Sequence, residues 1–239
     1  MEINFAGKTV LVAGGTGGLG KSVSLAFLSE GAKVIVTYRH EEGFNALKAE
    51  AGSQATLLEG MAEDVTEAPA VRAMVDRIVT RHGALDVVVN TIGGYAGGVK
   101  LWEIAPDVFQ KMFDLNLQAG FVLAQATLPS MLKQGSGAFI NIASKAAVDH
   151  AAGATAYAAS KAAAVAMMDC LAADVKGTGV RVNTILPSII DTEVNRQAMP
   201  DADFSKWPKP EEIARVVLFL ASDAAKVVHG ASVPVYGES

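Results

Sequence analysis

The sequence predicts an α/β fold, a doubly wound sheet of about seven mainly parallel strands with helices on both faces. Three observations carry this. Short β-branched runs alternate with longer segments of helical period, most strand-like runs are apolar throughout, and no repeat, linker or compositional shift divides the chain. Strands are expected at 9–13, 33–37, 56–59, 86–90, 138–143, 180–186 and 232–235. Helices are expected at 19–30, 42–51, 69–82, 106–133, 155–176 and 210–222. Pro234 has no N–H to give a ladder, so the last strand belongs at a sheet edge.

One domain over residues 1–239 fits this pattern, because α/β folds of 200–250 residues commonly form a single unit. Hydrophobic residues make up 51% and charged ones 19%, less than the roughly 25% of an ordinary soluble domain, which suits a large core. The net charge of −5 and the lack of any basic run argue against a nucleic-acid partner. Charged or amide residues interrupt every apolar stretch before it reaches membrane-spanning length, and Met1-Glu2-Ile3-Asn4-Phe5 lacks the basic start of a secretory leader. Cys170 is the only cysteine, which excludes an intrachain disulfide, suits a reducing cytoplasm, and reads as a small buried hydrophobe in an Ala-rich helix. The four histidines, His40, His82, His150 and His229, have no ligand spacing, so no metal is expected.

The first expected strand runs into Ala13-Gly14-Gly15-Thr16-Gly17-Gly18-Leu19-Gly20 and then a helix. Residues without a Cβ let the backbone approach a pyrophosphate, and the helix N-terminus offers free N–H groups and a positive dipole end. The spacing Gly14-x-x-x-Gly18-x-Gly20 resembles the short-chain dehydrogenase/reductase family, with Ala13 where that family usually has Thr. The resemblance implies a Rossmann-like fold and dinucleotide contacts from Gly14, Thr16, Gly17, Gly18, Leu19 and Gly20. NAD-binding folds commonly place an acid at the end of the second strand, on the ribose 2′-hydroxyl, but the chain reads Thr37-Tyr38-Arg39-His40 there. A guanidinium pairs with a 2′-phosphate that a carboxylate would repel, so Tyr38 and Arg39 favour NADP(H), with NAD(H) left open by Glu41 and Glu42 close by. Asp64-Val65 resembles the pair that meets the adenine, although Asp64 also reads as a helix cap beside Thr66. Asn90-Thr91-Ile92-Gly93 resembles the family's Asn-Asn-Ala-Gly element, which adds Asn90 and Gly93 to the cofactor set. Pro187, Ile190 and Thr192 resemble the turn that clasps nicotinamide and pyrophosphate, with Ser188 in place of the usual Gly.

Tyr157 and Lys161 are four apart on an expected helix and project from one face, where an ammonium would favour the phenolate. Ser144 follows the fifth expected strand, and Asn116 is a polar residue inside an otherwise amphipathic helix. Together they match the family's Asn–Ser–Tyr–Lys tetrad in order. The resemblance implies hydride transfer between nicotinamide and a small carbonyl or alcohol. Tyr157 would exchange the proton, Ser144 would bind the reacting oxygen, and Lys161 would hold the ribose and lower the Tyr157 pKa. Asn116 would anchor a water.

Residues 93–98, 145–149 and 191–207 resemble a narrower branch, the dihydropteridine reductases. That raises quinonoid dihydropterin as an alternative substrate and suggests a short lid over about 191–209, but Ser144 and Arg39 depart from the branch. Tyr95, Trp102, His150, Asn195, Met199 and Trp207 are further candidates for the pocket. Small residues along 155–176, such as Ala158, Ala162 and Ala166, suit close helix approach, and the family implies a homodimer or homotetramer through the two long central helices. A dinucleotide-binding sensor without turnover is the competing class; it would not need both Tyr157 and Lys161.

Overall fold

The computed structural model describes residues 3–239; Met1 and Glu2 of the N-terminal stretch lie outside the described residues. Seven parallel strands form one sheet: β1 (Thr9–Ala13), β2 (Lys33–Thr37), β3 (Leu58–Met61), β4 (Val87–Asn90), β5 (Gly137–Ile142), β6 (Val180–Pro187) and β7 (Ser232–Val235), in the order β3-β2-β1-β4-β5-β6-β7. The helices are α1 (Gly18–Ser29), α2 (Glu41–Glu50), α3 (Ala68–His82), α4 (Pro106–Phe113), α5 (Ala119–Gln134), α6 (Thr155–Asp174), α7 (Glu193–Ala198) and α8 (Pro210–Ala221).

Alternate residues of each strand feed two cores. Val10, Val12, Val34, Val36, Ile140 and Ile185 meet Val23 and Phe27 of α1 and Ile213 and Val217 of α8. Leu11, Ile35, Val88, Phe139 and Val182 meet Met74 and Ile78 of α3, Leu123 of α5 and Met168 of α6. With each such side chain contributing about 1.5–3 kcal/mol on burial, this double layer is why the strands read as unbroken apolar runs.

β1 pairs with both β2 and β4, so the chain winds outward from β1 in two directions. The loops leaving the carboxyl ends of β1 and β4 therefore part, and the crevice between them is where open parallel sheets place ligands. β7 lies at the sheet edge, with Pro234 opposite Leu186, as its composition requires.

Three expectations are corrected, and the stretch read as a lid gains a helix. The third strand is Leu58–Met61 rather than 56–59, because pairing Val34 with Leu58 leaves Thr56 beyond the start of β2, in a 3₁₀ turn over Gly52–Leu57. The helix expected over 106–133 is broken by a π turn at Asp114–Gln118, whose closing bond runs from the Ala119 N–H to the Asp114 carbonyl. A short helix, α7, stands within the stretch read as a lid, capped by Thr192, whose Oγ1 accepts the Asn195 N–H at 3.3 Å. Cys170 is exposed, not buried: α6 lays Ala156, Ser160, Ala164, Met168 and Ala172 toward the interior, and Cys170 sits two residues from Met168, about 200° around the helix.

Candidate active site

The β1–α1 turn is built around backbone contacts. Gly14 adopts φ +78°, and its N–H donates to Thr37 Oγ1 at 2.9 Å, tying the turn to the end of β2. A Cβ on Gly20 would collide with the Gly14 carbonyl oxygen. The residue preceding α1, Gly17, gives the helix no side-chain cap, so its first N–H groups face outward, ready for an anion. Across the turn, a Cβ on Gly18 would stand 3.0 Å from Thr192 Cγ2, which places the start of α7 directly against this loop.

A cleft of about 400 Å³ opens beside the turn, and its wall includes Gly14, Thr16, Gly17, Tyr38, Arg39, Val65 and Gly93. Arg39 is exposed at the end of β2 and forms no ion pair among the described residues, while Tyr38 stacks on Phe44 with ring centroids 5.0 Å apart. Asp64 does not cap α3, whose N-cap is Glu67. Its Oδ1 accepts the Thr66 N–H and hydroxyl at 2.9 and 2.7 Å, and those bonds hold its carboxyl below the usual carboxylate range. Asn90 is buried: its amide donates to Asn141 Oδ1 and its Oδ1 accepts the Ile92 N–H, so its side chain shapes the turn after β4 rather than facing the cleft. Pro187 is the last residue of β6, and the Ile190 carbonyl accepts from Asn195 Nδ2 at 2.8 Å. Ser188 needs no positive φ, and its hydroxyl donates to the Tyr236 carbonyl at 2.7 Å, so Gly is not required there.

The four residues of the expected tetrad converge where α6 crosses the ends of β4 and β5. Lys161 is fully buried, and its Nζ donates to the Ile142 carbonyl at 3.2 Å; burial pushes its pKa down to about 8. The Ser144 hydroxyl stands beside the Tyr157 phenol, close enough to lower its pKa, and accepts the Ala146 N–H at 3.1 Å. The expectation that Lys161 lowers the Tyr157 pKa is not met. Burial raises Tyr157, the hydrogen bond to Ser144 pulls the other way, and the Lys161 ammonium is turned to Ile142.

Asn116 sits in the π turn with both atoms of its carboxamide bonded to the protein. It accepts the Gly94 N–H at 2.9 Å and donates to the Gly94 carbonyl at 3.1 Å and to Ser160 Oγ at 3.0 Å. Ser160 in turn donates to the Tyr157 carbonyl at 2.8 Å, joining Asn116 to the Tyr157 backbone. Sequence reasoning missed Thr37, Ser160 and the Ile142 carbonyl. The signal for Ser160 was a hydroxyl beside Lys161 on the inner face of an Ala-rich helix, which needs a partner.

Residues 8–203 match the model of the short chain dehydrogenase family. The chain belongs to that family. Curated relatives span it almost entirely: a D-threitol dehydrogenase of Mycolicibacterium smegmatis is 35% identical, covering 99% of this chain and 94% of the relative. A 7alpha-hydroxysteroid dehydrogenase of Escherichia coli K12 is 30% identical, covering 99% and 95%. Among solved structures, a short-chain type dehydrogenase/reductase from Mycobacterium ulcerans superposes with TM-score 0.93 at 27% identity, covering 98% of this chain and 90% of that one. ElxO with NADP bound superposes with TM-score 0.91 at 26% identity, covering 96% and 97%. The chain is thus a nicotinamide-dependent oxidoreductase of the CH–OH/C=O kind. These relatives do not show the narrower likeness to dihydropteridine reductases. Among the described residues no helix is long and apolar enough to cross a membrane.

Proposed function

We propose that this protein is an NADP(H)-dependent short-chain oxidoreductase that moves hydride between nicotinamide and a small carbonyl or alcohol, with Tyr157 exchanging the proton. The observation that carries the proposal is the Ser144 hydroxyl standing beside the Tyr157 phenol, one helical turn from a buried Lys161. The residues fit the dinucleotide: the glycine turn leaves no room for a Cβ at Gly20, the N-terminus of α1 is uncapped, and Gly93 lies between that turn and Lys161. When bound, the dinucleotide supplies or takes the hydride.

In the reductive direction Tyr157 donates its proton to the carbonyl oxygen as the alcohol forms, and Ser144 donates a hydrogen bond to the same oxygen. A phenol held above its ordinary pKa by burial stays protonated for that task. Lys161, near pKa 8, carries its charge at neutral pH, where it would hold the ribose, and is close enough to titration to pass a proton onward. Asn116 acts as a clamp, holding the turn after β4 against α6 through Gly94 and Ser160.

NADP(H) is favoured over NAD(H) because Arg39, without an ion pair among the described residues, stands at the cleft wall where an acid would repel the 2′-phosphate; the NADP-bound ElxO neighbour agrees. The whole chain would act as one catalytic unit in the cytoplasm. It would pair as a homodimer or homotetramer through α5 and α6, whose outer faces carry exposed Phe121, Ala166 and Cys170. Retention of both Tyr157 and Lys161 favours turnover over a sensor.

The test is oxidation of NADPH with a panel of activated carbonyls and quinonoid dihydropterin. Turnover is expected to fall about 10²–10⁴-fold in Tyr157→Phe. Activity that survives in that variant removes Tyr157 as the proton donor, and tight NADPH binding with no turnover throughout supports the sensor. The preference for NADPH over NADH is expected to fall in Arg39→Ala; an unchanged preference refutes the cofactor assignment.

A further inference from the structure

Tyr95 is 69% exposed and stands beside the tetrad on a turn whose backbone is tied at both ends. Its neighbour Gly94 is held through both backbone groups by the Asn116 carboxamide. Three residues beyond Tyr95, the Gly98 N–H donates to the Gly153 carbonyl at 2.9 Å, tying the turn to the loop that precedes α6. Between these anchors Gly97 leaves its side-chain space to the Tyr95 hydroxyl, since a Cβ there would collide with it. The ring so placed crosses the Tyr157 ring at 76°, with centroids 5.0 Å apart.

An aromatic ring normally gives up its rotamer freedom in exchange for burial. Tyr95 keeps most of its surface open, and no protein group bonds its hydroxyl among the described residues. Its free face is an apolar surface beside the Tyr157 ring. Any carbonyl whose oxygen reaches Tyr157 must carry its substituents past that face. The next loops at the carboxyl edge of the sheet add exposed Val148 after β5 and exposed Ile189 and Val194 after β6, so this edge is apolar on three loops.

We propose that Tyr95 is a specificity-determining residue, whose ring packs against a substituent of the substrate and selects ring-bearing carbonyls and alcohols over short acyclic ones. This rests on the proposed function above for the position of the reacting carbon.

The experiment measures dissociation constants of acetophenone, cyclohexanone and 2-butanone for the NADP-loaded protein, together with kcat/KM from NADPH oxidation. The proteins compared are wild type, Tyr95→Phe, Tyr95→Ala and Tyr157→Phe. The wild type is expected to bind the two ring compounds more tightly than 2-butanone. Tyr95→Ala is expected to weaken the ring compounds by about 3- to 10-fold, the worth of one aromatic contact, and to leave 2-butanone within about 2-fold. Tyr95→Phe keeps the ring and should keep the discrimination. Equal losses for all three ligands in Tyr95→Ala, or no loss, overturn the proposal, as does a wild type that does not favour rings. Tyr95-dependent binding without turnover would uphold this assignment while defeating the proposed reaction; turnover that needs Tyr157 but ignores Tyr95 would do the reverse. If Tyr95→Ala fails to fold, Tyr95→Leu, which keeps bulk without a ring, must show the same selective loss.

Discussion

The two glycine-rich turns at the mouth of the crevice exclude side chains for different reasons. In the β1–α1 turn the obstacles are fixed: a Cβ on Gly20 meets the Gly14 carbonyl, and one on Gly15 meets Val36 in the core of β2. In the turn after β4 the obstacles are side-chain atoms: Gly93 faces Asn116 Oδ1 and Lys161 Nζ at 3.0 Å each, Gly94 faces Leu115 Cδ1 at 2.9 Å, and Gly97 faces the Tyr95 hydroxyl. The first turn keeps a backbone shape for a phosphate. The second keeps places for the side chains that do chemistry. Crowding the first should break the fold locally, whereas crowding the second should move the machinery and leave the fold standing.

The largest effect is expected at Gly20. In Gly20→Ala the new methyl cannot avoid the Gly14 carbonyl without unwinding the start of α1, so dinucleotide affinity should drop at least about 100-fold and stability by about 1–3 kcal/mol. Titration of NADPH fluorescence and chemical denaturation check both. A variant that binds NADPH normally would show that the turn has more slack than its geometry allows.

Gly93→Ala tests the second turn. At 3.0 Å the methyl is too close to Lys161 Nζ and Asn116 Oδ1 by a few tenths of an ångström, and a side chain can yield that much. The expected outcome is a fall in kcat of about 10- to 100-fold from misplacing Lys161, with NADPH affinity and unfolding midpoint little changed. Loss of folding instead would erase the distinction between the turns.

The first turn was legible in the sequence because a backbone cradle needs Gly itself, and its spacing in Gly14-x-x-x-Gly18-x-Gly20 records the geometry. The strand pattern was legible for a similar reason: a parallel sheet covered on both faces leaves continuous apolar runs. The second turn was legible only in part. Tyr157, Lys161, Ser144 and Asn116 stood out as a set, but the work of Asn116 did not. Its bonds to Gly94 and Ser160 join residues 22 and 44 positions away, and no local pattern encodes them. The π turn is equally silent, since the amphipathic period runs through it and the added residue is explained only by the tertiary bonds it permits. Cys170 was misjudged because an Ala-rich helix has no strong polar face to tell inside from outside.

Lys161 sharpens the contrast at a smaller scale, because the obstacle facing Gly93 is itself a strained group. An ordinary lysine titrates near 10.5, whereas buried Lys161 does so at about 8. The unfolded chain therefore binds the extra proton between those values, and by linkage the native state gains stability as pH rises from about 8 to 10.5. Below that window the native protein carries a buried ammonium whose one partner among the described residues is the Ile142 carbonyl. Lys161→Met removes the charge and that bond together, so at pH 7 the variant is expected to be more stable by about 1–2 kcal/mol, while turnover is lost. The gain should shrink as pH climbs through the window, because the wild-type ammonium is then discharged. Denaturation of both proteins at pH 7 and at pH 10 checks this as a difference, in which groups common to the two chains cancel. A variant less stable at pH 7, or a difference that ignores pH, would mean that Lys161 costs the fold nothing and that Gly93 faces a well-satisfied neighbour.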